Sequence, residues 1–474
     1  MLRLTGTLAL LCIATVSAAA GAVAAEERPR VLVTTDGEAD DRCSMVRFLL
    51  SSNEFDVEGI VNSSSQFHWE GGEGWNAFHP VDWVAKQIEL YRQVHDNLLL
   101  HDPAYPSPDF LLSRWKVGNI GAVGEDQTRS EGAELLARVL LDDTDPRPVW
   151  VQAWGGCNTI ARGLRIIEEE HPERMHDVAA RLRLFLIWEQ DETYQSSIRP
   201  VWEPLGVTTI ISDQFDCMAY IWRTVLPEDV QTFFKAEWMQ ANLLQGHGPL
   251  CSAYESKDNA FHAEGDTPAF LHAIPTGLRS TESPGWGGWG GRYVNVRGSV
   301  WMDPPPHDSW QHPEGRWGFS NSWSKKLEHV TSAEDVQLRT AYFRPIWRWL
   351  PAVQNDLAAR ADWCVEPYAD ANHPPCVVLS HARDLSVAPG KTIELSAATS
   401  SDPDGDRLTF RWWQEHAAGT CPVPVVIKHT TAPSASVTLP EHLQAGLTVH
   451  VICEVTDQGS PPLTRYARVV LTTD

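Results

Sequence analysis

Val31-Leu-Val-Thr-Thr-Asp-Gly-Glu-Ala-Asp-Asp41 decides how the rest of the chain is read. Arg30 to Thr35 is branched and apolar, like a buried strand, whereas Met45, Val46, Leu49 and Leu50 recur at the spacing of one helix face. Asp36, Asp40 and Asp41 therefore fall on the turn between a strand and a helix. A single aspartate there would serve as a helix cap, and Asp-Gly is a common turn pair. Three aspartates crowd like charges together, and such a cluster persists only when protons or a cation neutralise it. Carboxylate oxygens suit a hard ion, so Ca²⁺ is the expected cofactor. The carboxyl end of a strand is also where α/β proteins place ligands.

The segments that follow repeat the alternation. Phe55 to Asn62 reads as a second strand ending in Asn62-Ser-Ser-Ser65, and Val81 to Val94 and Ser130 to Leu141 read as amphipathic helices. Between them, Gln66 to His79 has no period and carries His68, Trp69, Glu70 and Trp75; irregular loops of this length are usually functional. His68 and His79 lack partners at zinc-ligand spacing. Pro148 to Ala153 is a third strand, broken by Trp154-Gly-Gly156 before Asn158 and Thr159 open a helix. Leu182 to Trp188 and Val207 to Ser212 add further strands. The pattern predicts an α/β domain, a parallel sheet flanked by helices, with helices and loops beyond Leu226. Asp266, in Glu264-Gly-Asp-Thr-Pro268, stands at a turn into a helix and on local sequence reads as its cap.

From about Cys376 the pattern changes to short strands, Thr392 to Ala397, Leu408 to Trp413, Ser434 to Leu439, Thr448 to Val455 and Tyr466 to Leu471. Their alternation predicts an all-β, immunoglobulin-like antiparallel sandwich. Asp402-Pro-Asp-Gly-Asp406 reads as a tight acidic turn ahead of a calcium loop. The expected organisation is a signal peptide over 1–24, an α/β domain over 25–372 and a sandwich over 373–474.

Arg3, the apolar run Leu8 to Val16 and the small residues ending at Ala24 form a secretory signal, placing the mature protein in the periplasm or outside the cell. No later run is long enough to span a bilayer. A formal net charge of −24 argues against nucleic acid, whose binding rests on Lys and Arg neutralising phosphates. Of nine cysteines Cys12 leaves with the signal, and Cys421 with Cys453 and Cys364 with Cys376 are the disulfides to expect first. Cys43 and Cys157 read as small buried residues beside the site. The 21 tryptophans, some in Gly-rich runs such as Gly285 to Gly291, are expected mostly in the core, with exposed rings free to stack on sugar faces. No segment specifies an oligomeric state.

Asp36-Gly-Glu-Ala-Asp-Asp41 resembles the N-terminal Asp-Pro-Gly-x-Asp-Asp motif of the nucleoside hydrolases, calcium enzymes that cleave N-glycosidic bonds. The strand ending at Asn62, the turn Ala153 to Ala161 and Glu264-Gly-Asp266 follow in matching order. The chain is most similar to a secreted nucleoside hydrolase-like family often labelled cellulose-binding, which also carries an immunoglobulin-like C-terminal domain. The resemblance implies that Asp36, Asp41, Asp266 and the main-chain carbonyl of Asn158 ligate Ca²⁺, with Asp36 taking a proton from the attacking water. It implies substrate contacts from Asp40, Asn62 and Glu264. The chain departs from the pattern at Thr34, at Gly37-Glu38 and at Gly265, and a ribose clamp has no clear counterpart.

Two functions follow as expectations. The first is an exported hydrolase of N-glycosyl bonds acting on a small sugar or nucleoside-like substrate. The second is a carbohydrate-binding protein that takes a polysaccharide such as cellulose on the same frame.

Overall fold

The computed structural model describes residues 27–474, and the expected signal peptide lies outside the described residues. The first eight strands are β1 (Arg30–Thr35), β2 (Asp56–Asn62), β3 (Trp115–Val117), β4 (Val149–Ala153), β5 (Leu182–Ile187), β6 (Thr208–Ser212), β7 (Val294–Arg297) and β8 (Val300–Met302). They form one sheet in the order β3-β2-β1-β4-β5-β6-β8-β7, parallel throughout except for the β7–β8 hairpin at one edge. Every residue of β1 and β4 is buried, as expected of strands covered on both faces. Helices Ala39–Leu50, Trp83–His101, Glu131–Leu141 and Asn158–Glu170 share one hydrophobic core with the sheet. Chain order reverses about β1, which lies between β2 and β4, and that reversal opens a crevice at the strand carboxyl ends.

The strands of this sheet that sequence reasoning missed have three or four residues, β3, β7 and β8, too short for periodicity to register. No helix of the described residues is long and apolar enough to cross a membrane.

The C-terminal strands are β9 (Asp384–Val387), β10 (Thr392–Ser396), β11 (Thr409–Gln414), β12 (Val426–Lys428), β13 (Ser434–Thr438), β14 (Thr448–Thr456) and β15 (Thr464–Thr473). Two sheets, β10-β13-β12 and β11-β14-β15-β9, enclose a second core. The sandwich is not wholly antiparallel, because β9 runs parallel to β15. In the acidic turn Asp402 Oδ1 accepts the amides of Asp404 and Asp406 at 2.9 and 3.1 Å, and Asp404 accepts the His373 amide at 2.7 Å.

The cysteine pairing differs from expectation. All eight described cysteines are unbonded; Cys376 is exposed, while the buried Cys364 faces Cys251 with its sulfur 3.9 Å away. Cys421 turns its thiol to the Val423 carbonyl at 3.3 Å. Residues distant in sequence meet here through helix packing, which spacing does not encode.

The two domains meet along a seam with main-chain character. Tyr466 and Arg468 of β15 donate their amides to the carbonyls of Thr276 and Gly277 at 2.9 and 3.1 Å. The buried Arg468 guanidinium donates to the carbonyls of Leu278, Trp286 and Gly287 at 2.6, 2.9 and 2.9 Å. Gly277 has φ +90°, and a Cβ there would lie 1.8 Å from the Tyr466 oxygen.

Gly277→Ala should therefore lower stability of the whole chain by roughly 1–3 kcal/mol, read as a fall in Tm, because an unfavourable backbone conformation and a main-chain clash coincide. Under oxidising conditions Cys251 and Cys364 should be recovered as one linked peptide after non-reducing digestion. Linkage of Cys364 to Cys376 would contradict the observed packing.

Candidate metal and sugar site

Main-chain bonds draw three strand ends together. Ser63 donates to the Thr35 carbonyl at 2.8 Å, Trp154 to Thr34 at 2.9 Å and Gly156 to Ser64 at 2.9 Å. Asp36 leaves the end of β1 into the space between them, and Asp40 and Asp41 occupy the first turn of helix Ala39–Leu50, where the helix dipole favours acids. The Thr35 hydroxyl and the Asp36 amide both donate to Asp41 Oδ1, and the Glu38 amide donates to Asp36 Oδ1 at 3.2 Å.

Asp266 joins this cluster from far along the chain. Oxygens of Asp40, Asp41 and Asp266 all lie within 4.8 Å of one another, and all three residues are buried. The cap reading of Asp266 fails: it occupies the N-cap position of helix Thr267–Leu271, yet its side chain makes no capping bond. Asp36 Oδ2 and Asp266 Oδ2 are buried with no hydrogen-bond partner. A Cβ on Gly265 would sit 2.5 Å from Asp40 Oδ2, so only glycine lets this loop approach so closely.

Burial, reinforced by the neighbouring Glu38 charge, pushes the Asp36 carboxyl up to about 7. Burial and the Asp41 charge do the same for Asp40, also to about 7. Burial and the Asp36 charge hold Asp41 well above the usual carboxylate range, and burial with the charges of Asp41 and Asp40 does the same for Asp266. An all-oxygen set with unpartnered acceptors and excess negative charge is what a hard divalent cation requires.

A cleft of about 380 Å³ opens above Asp40. The rings of Trp188, Phe215, Tyr220 and Phe319 line it, with Phe67 and Trp75 contributed by the long loop after β2. Trp188 meets Phe215 edge to face at 4.7 Å. Lys325 pairs with Asp216 at 3.0 Å on the same wall, and the Tyr220 hydroxyl donates to Glu38 and Asp40 at 2.9 and 3.3 Å.

Residues 30–293 match the family profile described as cellulose-binding Sde182, nucleoside hydrolase-like domain. Residues 392–473 match that of the cellulose-binding protein Sde0182, C-terminal domain. The chain belongs to the Sde182 family. Among solved structures it is similar to a nucleoside hydrolase-related protein from Saccharophagus degradans associated with carbohydrate metabolism, at 28% identity and a TM-score of 0.75, covering 94% of this chain and 100% of that one. A plant nucleoside hydrolase aligns at 11% identity and a TM-score of 0.31, covering 67% of this chain and 99% of that one. No curated protein matches the sequence significantly.

Two of the expected substrate contacts are engaged within the protein in this Sde182 family member. Glu264 is fully buried and grips Arg47 with both oxygens, at 2.5 and 3.0 Å, while accepting from the Thr267 hydroxyl at 2.8 Å. Its capacity is spent on tying the Asp266 loop to the helix that carries Asp40 and Asp41. Asn62 is also fully buried, and its Oδ1 accepts from the Trp115 indole at 2.7 Å; it does not line the cleft. The Asn158 side chain engages Ser63, Ser64 and the carbonyls of Asn119 and Glu125, leaving only its main-chain carbonyl for a ligand role.

Sequence reasoning missed most of the cleft wall. Trp188 and Phe215 follow the ends of β5 and β6, where the strand-end rule could have found them. Tyr220, Phe319 and Lys325 lie in segments with no local signal.

The raised carboxyl groups predict how the metal-free protein responds to pH. In the folded chain Asp36 and Asp40 keep their protons to about pH 7, whereas the unfolded reference is 3.8. The folded state thus binds more protons across that window, and stability falls as pH rises through it. After chelation Tm should be higher near pH 5 than near pH 7, and Ca²⁺ should raise the value near pH 7 far more. Equal Tm with and without Ca²⁺ near pH 7 would contradict a cation at this cluster.

Proposed function

We propose that this protein is an exported, calcium-dependent hydrolase that cleaves an N-glycosyl bond in a small sugar or nucleoside-like substrate. The observation that carries the reading is the convergence of Asp40, Asp41 and Asp266, with Asp36 bonded to Asp41 through its amide, the Oδ2 atoms of Asp36 and Asp266 buried without partners, and Asp40 lining an aromatic cleft. These residues fit Ca²⁺: Asp40, Asp41 and Asp266 supply the gathered oxygens, Asp36 adds its free Oδ2, and the Asn158 carbonyl is the further oxygen implied by the family resemblance. Bound there, Ca²⁺ would neutralise the cluster and make an adjacent water more acidic.

The chain's own groups then have distinct tasks. Asp36, beside the ion, accepts the proton of the attacking water on its carboxylate. Asp40 faces the cleft and accepts from sugar hydroxyls. Positive charge developing on the sugar is favoured by the surrounding carboxylates, as in other glycosidases. The rings of Trp188, Phe215 and Phe319 stack on the sugar or its leaving group and keep water from the bond. The Lys325–Asp216 pair offers the leaving group a donor and an acceptor.

The cellulose-binding description of the family, together with Trp75 at 67% exposure on the cleft rim, favours a second reading: a carbohydrate-binding protein on the same frame.

Purified protein should release base or reducing sugar from nucleosides and aryl glycosylamines only with Ca²⁺ present. Asp36→Asn should reduce turnover by about 10²–10⁴-fold while leaving fold and retention on insoluble cellulose unchanged. Full turnover in Asp36→Asn overturns the catalytic assignment. Cellulose retention with no turnover on any such substrate establishes the binding reading instead.

A further inference from the structure

A cavity of about 220 Å³ lies at the seam between the two domains, on a different set of residues from the carboxylate cleft. Three arginines line it, Arg292, Arg344 and Arg348, against one carboxylate, Glu415. In a chain of net charge −24 this is a local reversal of sign. Glu415 is committed to Arg348, at 2.8 Å, and the Arg348 guanidinium also covers the Trp349 ring at 4.5 Å.

The other two arginines are underused. The Arg292 guanidinium, partly buried, donates only to the Ala417 carbonyl at a long 3.4 Å, and no carboxylate among the described residues lies within 4 Å of it. Burial holds its pKa below the usual arginine range. Arg344, exposed in the last turn of helix Ala333–Trp347, makes no ion pair or side-chain hydrogen bond among the described residues. Both guanidinium groups thus have donors to spare, and the fork of an arginine matches a carboxylate in geometry and charge. Trp286 and the run Pro304 to Pro306 also line the cavity and give it apolar surface suited to the C–H face of a sugar ring.

We propose that this cavity is a second carbohydrate site, selective for a sugar that bears a carboxylate. Arg292 and Arg344 take the carboxylate and the Trp286 and proline wall takes the ring. The anion part of the assignment rests on the arginines alone; the sugar part rests on the carbohydrate reading proposed above.

Isothermal titration of the full chain with glucuronate, glucose and acetate tests both parts. Glucuronate should bind saturably, weaken as salt is added, and bind more tightly than either glucose or acetate. Arg344→Ala, at an exposed position that leaves folding undisturbed, and Arg292→Met should each weaken glucuronate by about tenfold or more. Asp36→Asn should leave glucuronate binding unchanged, so failure of the hydrolase reading and failure of this site are read separately. No saturable glucuronate binding, or binding that survives both arginine substitutions, overturns the site. Acetate binding as tightly as glucuronate overturns the sugar part, and loss of glucuronate in Asp36→Asn places the ligand in the carboxylate cleft instead.

Discussion

The structure is organised around a repulsion. Asp36, Glu38, Asp40, Asp41 and Asp266 oppose one another in a site where burial strips away most of the screening that water would provide. A fold that gathers such groups must hold them by other means, and the means are visible around them. The sheet fixes Asp36 at a strand end, the helix dipole supports Asp40 and Asp41, and the Arg47–Glu264 pair bolts the Asp266 loop to that helix. Arg47 also reaches the Val353 carbonyl and Gln354 at 3.2 and 2.6 Å, which carries the bracing out to helix Leu350–Asp362. Glu264 therefore braces the site through Arg47. Severing a buried pair of this kind leaves an uncompensated charge and costs about 3–5 kcal/mol.

Much of this was legible in the residues. The run from Val31 to Asp41 announced both a buried strand and a crowded acidic turn, and β4, β5 and β6 were apolar enough to stand out. Local sequence failed wherever the answer depended on a distant partner. Asp266 has every local mark of a helix cap, and only the arrival of Asp40 and Asp41 shows that its oxygens face elsewhere. The family resemblance implies a substrate contact at Glu264, and nothing near it in sequence reveals Arg47. Cys364 was matched with its near neighbour Cys376, whereas helix packing sets it against Cys251. The aromatic cleft was the least readable part, since Tyr220, Phe319 and Lys325 come from segments whose placement is decided only when the chain closes over the sheet.

The tryptophans divide in a way composition could not show. Twelve of the 21 are buried, Trp154, Trp202, Trp222, Trp289, Trp317 and Trp412 fully so, and most of that unusual content is core. Trp75 alone of the tryptophans stands among the prominently exposed large side chains. In the Gly-rich run, Trp289 packs inward while Trp286 reaches the seam, where the Arg279 guanidinium lies 4.8 Å above its ring.

The main-chain bonds from Tyr466 and Arg468 to Thr276 and Gly277 bear on how such a protein can be inherited and dismantled. A domain hung on a flexible linker can be moved between genes, or clipped off by a protease, without harm to its host. Here the sandwich supplies amides and a guanidinium that the first domain's carbonyls need, and separating the two would strand both sets at newly wetted faces. A cut in the connecting segment would leave these bonds in place, and a domain replacing the sandwich would have to present two amides and a guanidinium along this edge. The two domains are thus joined by specific main-chain and guanidinium bonds, although each has a core of its own.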